Sequence, residues 1–225
     1  MLQEQKVKFK DSTSLTKWAK WFLYAQIVIG IIAIISGVFE YQLLSDFKNG
    51  VYTSQELAVE AGKESDTRQG VVGIAQLIIS IVSGILILKW IYRANYNVRQ
   101  LGATGMKFTP GWSIGWYFVP IINLWKPYQA MKEIWKTSSD PLNWKTQSVS
   151  SILSWWWLFW ITCGIAANIS FRMTMRAEEI DEFIAANIIT QVSDVIGISL
   201  NLITIAIISR VYKMQMTHIN VEKSI

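Results

Sequence analysis

The sequence predicts an all-α membrane protein: a four-transmembrane-helix bundle with a Pro-broken, Trp-rich re-entrant or interfacial element on its cytoplasmic side. Three observations predict this class. Hydrophobic residues make up 52% of the chain and charged residues only 16%, where soluble domains carry roughly 25%. The mean hydropathy is +0.29. Four long runs are almost free of charge. This composition excludes a disordered chain and a typical cytosolic enzyme.

The four predicted spans belong to a single membrane domain of 225 residues. A helix needs about 20 apolar residues to cross the hydrocarbon core. Backbone polar groups in lipid must be satisfied within the segment, so each span is expected to be helical. The spans cover approximately residues 18–44, 69–92, 148–171 and 183–209.

The charges between the spans alternate in sign. Residues 1–20 carry five lysines against two acids, and residues 89–145 carry eight basic against two acidic side chains. The loops 45–69 and 172–182 are instead acidic on balance. The positive-inside rule therefore predicts that both termini and the central segment face the cytoplasm. The same rule explains the basic isoelectric point without a nucleic-acid partner.

The segment 106–137 differs from the spans. Its uncharged part is interrupted by Pro110 and Pro120, which remove helical hydrogen bonds. If it crossed the membrane, the charge alternation would fail, so a re-entrant or surface-lying element is expected. Apolar residues at Tyr128, Met131 and Trp135 then predict a short amphipathic helix.

The twelve tryptophans all map to the predicted cytoplasmic side. Indole rings favour the headgroup level, so one interpretation is that they hold the element and the helix ends at the interface. The alternative is a Trp-walled site for a lipid or another ligand. The cations Arg93, Arg99, Lys107 and Lys126 lie beside it in sequence, which suits an anionic headgroup.

Small and polar residues recur at helical spacing in every span. They indicate either close helix packing, including contacts between copies in a homo-oligomer, or a hydrated path. Asp194 is the strongest argument for a path, because a carboxylate at mid-bilayer costs about 2.5 kcal/mol or more. The predicted polar path is lined by Glu40, Gln76, Asp194 and Asn201.

No catalytic or metal-binding signature is found in the sequence, and no cofactor is predicted. His218 is the only histidine and Cys163 the only cysteine. Neither a Cys/His nor a Ser/His dyad is expected within the membrane, nor is a Cys/His zinc site. Gly102 and Gly105 predict a turn rather than a nucleotide-binding loop. Glu133 is interpreted as a charge on the surface of the amphipathic helix rather than as a base.

The central segment carries a distinctive order of residues. Arg93-Ala-Asn-Tyr-Asn97 is followed by Phe108-Thr-Pro-Gly-Trp112, then by Gly115-Trp-Tyr-Phe-Val-Pro120 and Asn123-Leu-Trp-Lys-Pro-Tyr128. This order resembles the bacterial membrane domain-of-unknown-function family 4328. The resemblance implies a multi-pass inner-membrane protein and brings no activity with it. It raises Arg93, Asn97, Asn123 and Glu133 either as functional residues or as partners of freed backbone groups.

Two functions follow as hypotheses. The first is a non-enzymatic scaffold or sensor that binds lipids or an unidentified protein through a Trp-rich platform. The second is a small oligomeric cation channel along the polar path. The platform residues are Arg93, Asn97, Trp112, Trp116, Asn123, Trp125, Glu133 and Trp135.

Overall fold

The computed structural model describes residues 9–223, with side chains as far as residue 220. Within this range the chain forms α-helices joined by turns and contains no strand. Short 3-10 turns occur at Trp116–Phe118, Ile122–Leu124 and Trp144–Thr146. The α-helices are α1 (Thr13–Lys48), α2 (Gln55–Gln100), α3 (Pro110–Gly115), α4 (Lys126–Ser139), α5 (Ser151–Arg176) and α6 (Ile180–Lys223).

Four of these helices, α1, α2, α5 and α6, are long and apolar enough to cross a membrane. This confirms the prediction of an all-helical chain with four helices able to span. The predicted spans lie inside longer helices, except that residues 148–150 precede α5. Helix α4 has only 14 residues and is too short to cross.

Contacts divide the chain into two compact units. The hairpin unit comprises Phe22–Val82 and Leu158–Leu202. The central-segment unit comprises Met1–Trp21, Ser83–Trp157 and Ile203–Ile225, of which residues 1–8 and 224–225 are not described. Each long helix therefore contributes residues to both units.

In the hairpin unit, helix ends are set by a left-handed glycine and by side chains that accept main-chain N–H groups. Gly50 adopts a φ of +68°, a left-handed conformation that glycine reaches without steric cost, and it follows the last turn of α1. The Ser54 hydroxyl accepts a hydrogen bond from the Leu57 N–H, as expected of a residue preceding a helix. Before α6, the Glu182 carboxylate accepts the main-chain N–H groups of Glu178 and Glu179.

Helices α1 and α6 approach closely in the hairpin unit because glycines face the contact. A Cβ on Gly37 would lie 2.9 Å from Gln191 Cγ, and one on Gly30 would lie 3.2 Å from Ile198 Cγ1. The Asn187 amide also donates to the Gly37 carbonyl at 3.1 Å. By contrast, added Cβ atoms on Gly73 and Gly197 would meet nothing within 4 Å. Close packing therefore explains only part of the small-residue pattern.

The central-segment unit contains a buried core beside α4. This core includes Ile91 and Val98 of α2, Ile134 of α4, Leu153 of α5 and Ile208 of α6. Met131 and Trp135 are buried, which confirms the predicted amphipathic helix. The predicted turn also forms, with positive φ at Gly102 and Gly105. These contacts position the central segment, which supplies most of the predicted platform.

Candidate functional sites

The residues of the predicted polar path line two cavities in the hairpin unit. The larger cavity has a volume of about 380 Å³ and is lined by Glu40, Gln76 and Asp194. The smaller one, of about 220 Å³, is lined by Gln76, Asp194 and Asn201. All four predicted residues therefore face cavities. Cys163, Gln26 and Ser80 also line the smaller cavity.

Gln76 and Asp194 contribute to both cavities and contact each other. The Gln76 amide donates to Asp194 Oδ1 at 3.1 Å, which joins α2 to α6. Among the described residues, no basic group lies within 4 Å of the Asp194 carboxylate. A half-buried carboxylate with one amide partner can accept a proton or a cation.

Glu40, in contrast, has a cation beside it. Arg68 Nη2 lies 3.7 Å from Glu40 Oε2, and the Ser65 hydroxyl donates to the same oxygen. Arg68 also donates to the Ser36 hydroxyl of α1 at 3.1 Å. The sequence identified Arg68 only as a residue at the start of a span. The arginine balances the charge of Glu40, so Asp194 is the more available acid of the predicted path.

In the central-segment unit, Asn97 holds the N-terminal segment against α2. Its side chain is fully buried, accepts the Lys10 N–H at 3.1 Å and donates to the Lys10 carbonyl at 2.9 Å. Arg93 Nη1 donates to the Asp11 carbonyl at 2.9 Å. Two predicted platform residues thus bind main chain, and together they place the Lys10 side chain beside α2.

Glu133 is buried, and the interpretation of it as a surface charge is wrong. Only 6% of the residue is exposed. Its carboxylate accepts the main-chain N–H groups of Lys107 at 2.7 Å and Phe108 at 3.0 Å. Each carboxylate oxygen accepts one N–H of this turn, and these bonds offset the cost of burying the charge. A helical pattern alone places Glu133 on α4 without revealing such partners.

Two further α2 residues bind the same turn. The Asn95 amide donates to the Phe108 carbonyl at 3.0 Å, and Arg99 Nη2 donates to that carbonyl at 2.8 Å. Asn95 was not selected from the sequence. The signal available in the sequence was its position four residues before Arg99, which places both on one face of a helix. Arg99, which the sequence suggested as a cation beside a ligand site, therefore binds the main chain of this turn.

The predicted platform tryptophans fall into two groups. Trp112 and Trp116 stack with their ring centroids 4.5 Å apart, and Trp112 and Trp125 are exposed. Trp135 is buried in the core beside α4. Asn123 lies half-buried in a 3-10 turn, where its N–H donates to the Val119 carbonyl at 2.9 Å. Of the twelve tryptophans, all except Trp160 belong to the central-segment unit.

An exposed apolar ridge follows the stacked tryptophans. Phe118 and Ile121 are 72% and 71% exposed, and Leu124 and Trp125 are exposed beside them. We call Phe118, Ile121, Leu124 and Trp125 the apolar ridge. The ridge is held to α5, since Trp157 Nε1 donates to the Leu124 carbonyl at 3.1 Å. Next to the ridge, burial raises the pKa of the Tyr117 phenol well above its usual range.

A basic groove is lined by residues from three helices: the start of α1, the C-terminal half of α2, and α3. Its volume is about 620 Å³. Three cations, Lys10, Lys89 and Arg93, line it. The sequence had emphasised Arg93, but neither Lys10 nor Lys89. The remaining lining is aliphatic or aromatic: Leu15, Ile85, Leu88, Tyr92 and Ile114.

Comparison with known proteins assigns the chain to a family. No curated protein and no solved structure matches it. The family model described as Domain of unknown function (DUF4328) matches residues 54–213, which include α2, the whole central segment, α5 and most of α6. No group of three or more His, Cys, Asp or Glu side chains suited to a metal ion occurs in the described part of the chain. Because the family model covers well over half of the sequence, the chain belongs to the DUF4328 family.

Proposed function

We propose that this protein is a non-enzymatic membrane scaffold or sensor whose central segment forms a platform at the lipid interface. The apolar ridge is the single observation that supports this best. Phe118 and Ile121 expose most of their surface although they lie outside the long helices. Exposed apolar patches of this kind mark surfaces that contact a membrane or a partner.

The backbone of the ridge suits a position with little water. The N–H groups of Ile122, Asn123, Leu124 and Trp125 all donate to carbonyls of Val119–Ile122 nearby. Non-helical backbone needs internal hydrogen bonds of this kind wherever water is scarce, and it is not found exposed to the hydrocarbon core, so the headgroup level suits it. The exposed indoles of Trp112 and Trp125 suit the headgroup level. These features support an interfacial position more than a soluble surface.

The proposal includes an orientation. With both termini and the central segment cytoplasmic in a bacterial inner membrane, the ridge lies in the inner leaflet. The excess of basic residues in segment 89–145 supports this side, because inner-leaflet lipids are anionic. A protein partner of the platform would then approach from the cytoplasm.

Site-directed spin labelling tests the platform. Cys163 is the only cysteine, so a Cys163→Ser background accepts single labels at Phe118→Cys and Ile121→Cys. In liposomes both labels should be more accessible to oxygen than to a water-soluble nickel chelate. A label at exposed Gln129 of α4 serves as the control and should favour the nickel reagent. Nickel accessibility at 118 and 121 equal to that at 129, in folded protein, would overturn the proposal.

A second candidate function is a small oligomeric cation channel. It is favoured by the two cavities that share Gln76 and Asp194. Four helices of one chain leave little room for a wide pore, so several copies would form it. Cation flux into proteoliposomes should fall in Asp194→Asn and remain unchanged in the exposed control Glu56→Gln. Absence of flux from correctly inserted wild type would remove this candidate.

A further inference from the structure

The basic groove combines positive charge with an apolar wall. Lys10, Lys89 and Arg93 provide positive charge. The side chains of Leu15, Ile85 and Ile114 provide an apolar wall. A fully polar anion would use only the cations, and a hydrocarbon would use only the wall. A ligand that satisfies both parts has an anionic head and an aliphatic tail.

The acid nearest to these cations in sequence is Asp11, whose Oδ1 accepts the main-chain N–H and the hydroxyl of Thr13. None of the lining residues is acidic. In the described part of the chain the ion pairs are Lys48–Asp181 and Arg68–Glu40, so none of the three groove cations forms one. Arg93 uses Nη1 on the Asp11 carbonyl and retains further donors of its five N–H groups. The lining of the groove therefore presents a net positive charge to a ligand.

Buried hydrogen bonds fix the arrangement of the groove. The two bonds of Asn97 to the main chain of Lys10 place that residue next to Arg93. Trp90 Nε1 donates to the Thr16 hydroxyl at 3.1 Å, which holds the start of α1 against α2. Both Trp90 and Asn97 are buried. The backbone that carries Lys10 and the start of α1 is thus held against α2, which lowers the entropic cost of binding.

The position of the groove cations in the sequence suits contact with lipid headgroups. The uncharged run of α2 extends from Gln69 to Leu88, and Lys89 is the first charge after it. Cations at the end of a span lie near the phosphate level, with the preceding residues in hydrocarbon. Ile85 and Leu88 would therefore meet acyl chains where Lys89 and Arg93 meet headgroups.

We propose that the groove binds one anionic phospholipid, with its phosphate between Lys10, Lys89 and Arg93 and an acyl chain along Leu15, Ile85 and Ile114. This inference rests on the proposed interfacial position of the central segment, since α3 contributes Ile114. It adds a defined lipid class and a site separate from the apolar ridge. In this arrangement the platform distinguishes anionic from zwitterionic membranes.

The test measures lipid retention by the full chain. Purified protein in a nonionic detergent is titrated with phosphatidylglycerol or phosphatidylcholine, and bound lipid is counted by native mass spectrometry. One phosphatidylglycerol should bind in preference to phosphatidylcholine. Each basic residue near an anionic lipid is worth about five-fold in affinity, so Lys10→Gln combined with Lys89→Gln should weaken binding about 25-fold.

Two further variants separate charge from shape. Lys213 is exposed on α6 in the same unit, and Lys213→Gln should leave binding within about two-fold of wild type. Ile85→Trp narrows the groove at its apolar wall without changing the charge, and it should also weaken phosphatidylglycerol binding. Equal losses in Lys213→Gln and in the double variant would overturn the site.

A thermal unfolding experiment distinguishes a lipid site from a site for a free anion. Phosphatidylglycerol should raise the thermal unfolding midpoint, while inorganic phosphate and glycerol phosphate at equal concentration should not. Equal protection by inorganic phosphate would replace the lipid site with a simple anion site and overturn the proposal. Equal binding of phosphatidylcholine would do the same.

The groove and the apolar ridge can fail independently. Spin labels at positions 118 and 121 should keep their depth in the double lysine variant, because no residue of the ridge lines the groove. Loss of selective lipid binding in the double lysine variant, with unchanged depth of the two spin labels, would leave the lipid site supported and separate from the platform. Absence of selective lipid binding in the wild type, with both labels in the membrane, would overturn the lipid site alone. Nickel-accessible labels with intact lipid binding would instead remove the platform.

Discussion

Asn97 Oδ1 accepts the N–H of Lys10 and Asn97 Nδ2 donates to the Lys10 carbonyl, so one buried side chain pairs with both main-chain groups of a residue 87 positions away. Such pairing is normally provided by another backbone. Here it joins the N-terminal segment to α2 and places Lys10 in the basic groove. The same function, support of main chain by a buried side chain, recurs at Glu133 and Asn95.

Replacing Asn97 with Ala should destabilise the protein. The variant loses two hydrogen bonds and leaves a partly buried N–H and C=O without partners, which costs about 1–3 kcal/mol. The thermal midpoint in detergent should fall, and hydrogen exchange at the Lys10 amide should accelerate. Asn220→Ala, on an exposed position of α6, is the matched control. Unchanged exchange at Lys10 would contradict the pairing.

Glu133→Gln should lower the stability of the protein although glutamine has nearly the same shape as glutamate. The carboxylate receives two N–H groups, and an amide would turn an NH₂ toward one of them. We expect a loss of about 1–3 kcal/mol in the free energy of unfolding. Chemical denaturation of this variant beside the exposed Glu56→Gln would measure it. Similar stabilities of the two variants would indicate that Glu133 does not hold the turn at Lys107.

Two glycines of the hairpin unit should respond differently to alanine. Gly37→Ala places a Cβ 2.9 Å from Gln191 Cγ, and Gln191 is itself held by a hydrogen bond to Asn187. Overpacking of this kind costs about 1–3 kcal/mol. Gly73→Ala meets nothing within 4 Å and should leave stability unchanged or raise it. Thermal unfolding of both variants checks the contrast, and equal losses would refute the close α1–α6 approach.

Asp140 should give stability that depends on pH. The main-chain N–H of Asn143 is the largest cause that lowers the pKa of this carboxyl below 3.8, and the N–H of Leu142 adds to it. Because the pKa is lower in the folded state, the charged form stabilises the turn above pH 3.8, and this contribution is lost as pH falls through the folded pKa. The difference in thermal midpoint between wild type and Asp140→Asn should therefore shrink as the pH falls below 3.8. A difference that stays constant would contradict this assignment.

Cysteine labelling in cells tests the orientation. In the Cys163→Ser background, Asn49→Cys lies in the loop between α1 and α2, and Lys145→Cys lies before α5. The charge distribution predicts that the first position lies outside the cell membrane and the second inside. An impermeant maleimide should label position 49 in intact cells and position 145 only after permeabilisation. Labelling of both positions once cells are permeabilised is the control, and the reverse pattern in intact cells would invert the topology.

Local sequence patterns predicted the helices correctly because a helix depends on neighbours three and four residues apart. The four spans and the amphipathic face of α4 are examples. The polar path stays a prediction from spacing, and its four residues line two cavities of the hairpin unit. The buried position of Glu133 was not predicted, because its partners Lys107 and Phe108 belong to a turn that periodicity does not describe.

The sequence alone thus determined the class of protein, the four long helices, the broken central segment and the face on which Gln76 and Asp194 lie. The tertiary structure decided which polar groups meet. It joined Gln76 to Asp194 across 118 residues and Lys10 to Asn97 across 87, and it balanced Glu40 with Arg68 but left Asp194 without a cation in the described chain. The reason is physical: helical periodicity sets only the direction of a side chain, whereas its partner is chosen by the packing of distant elements.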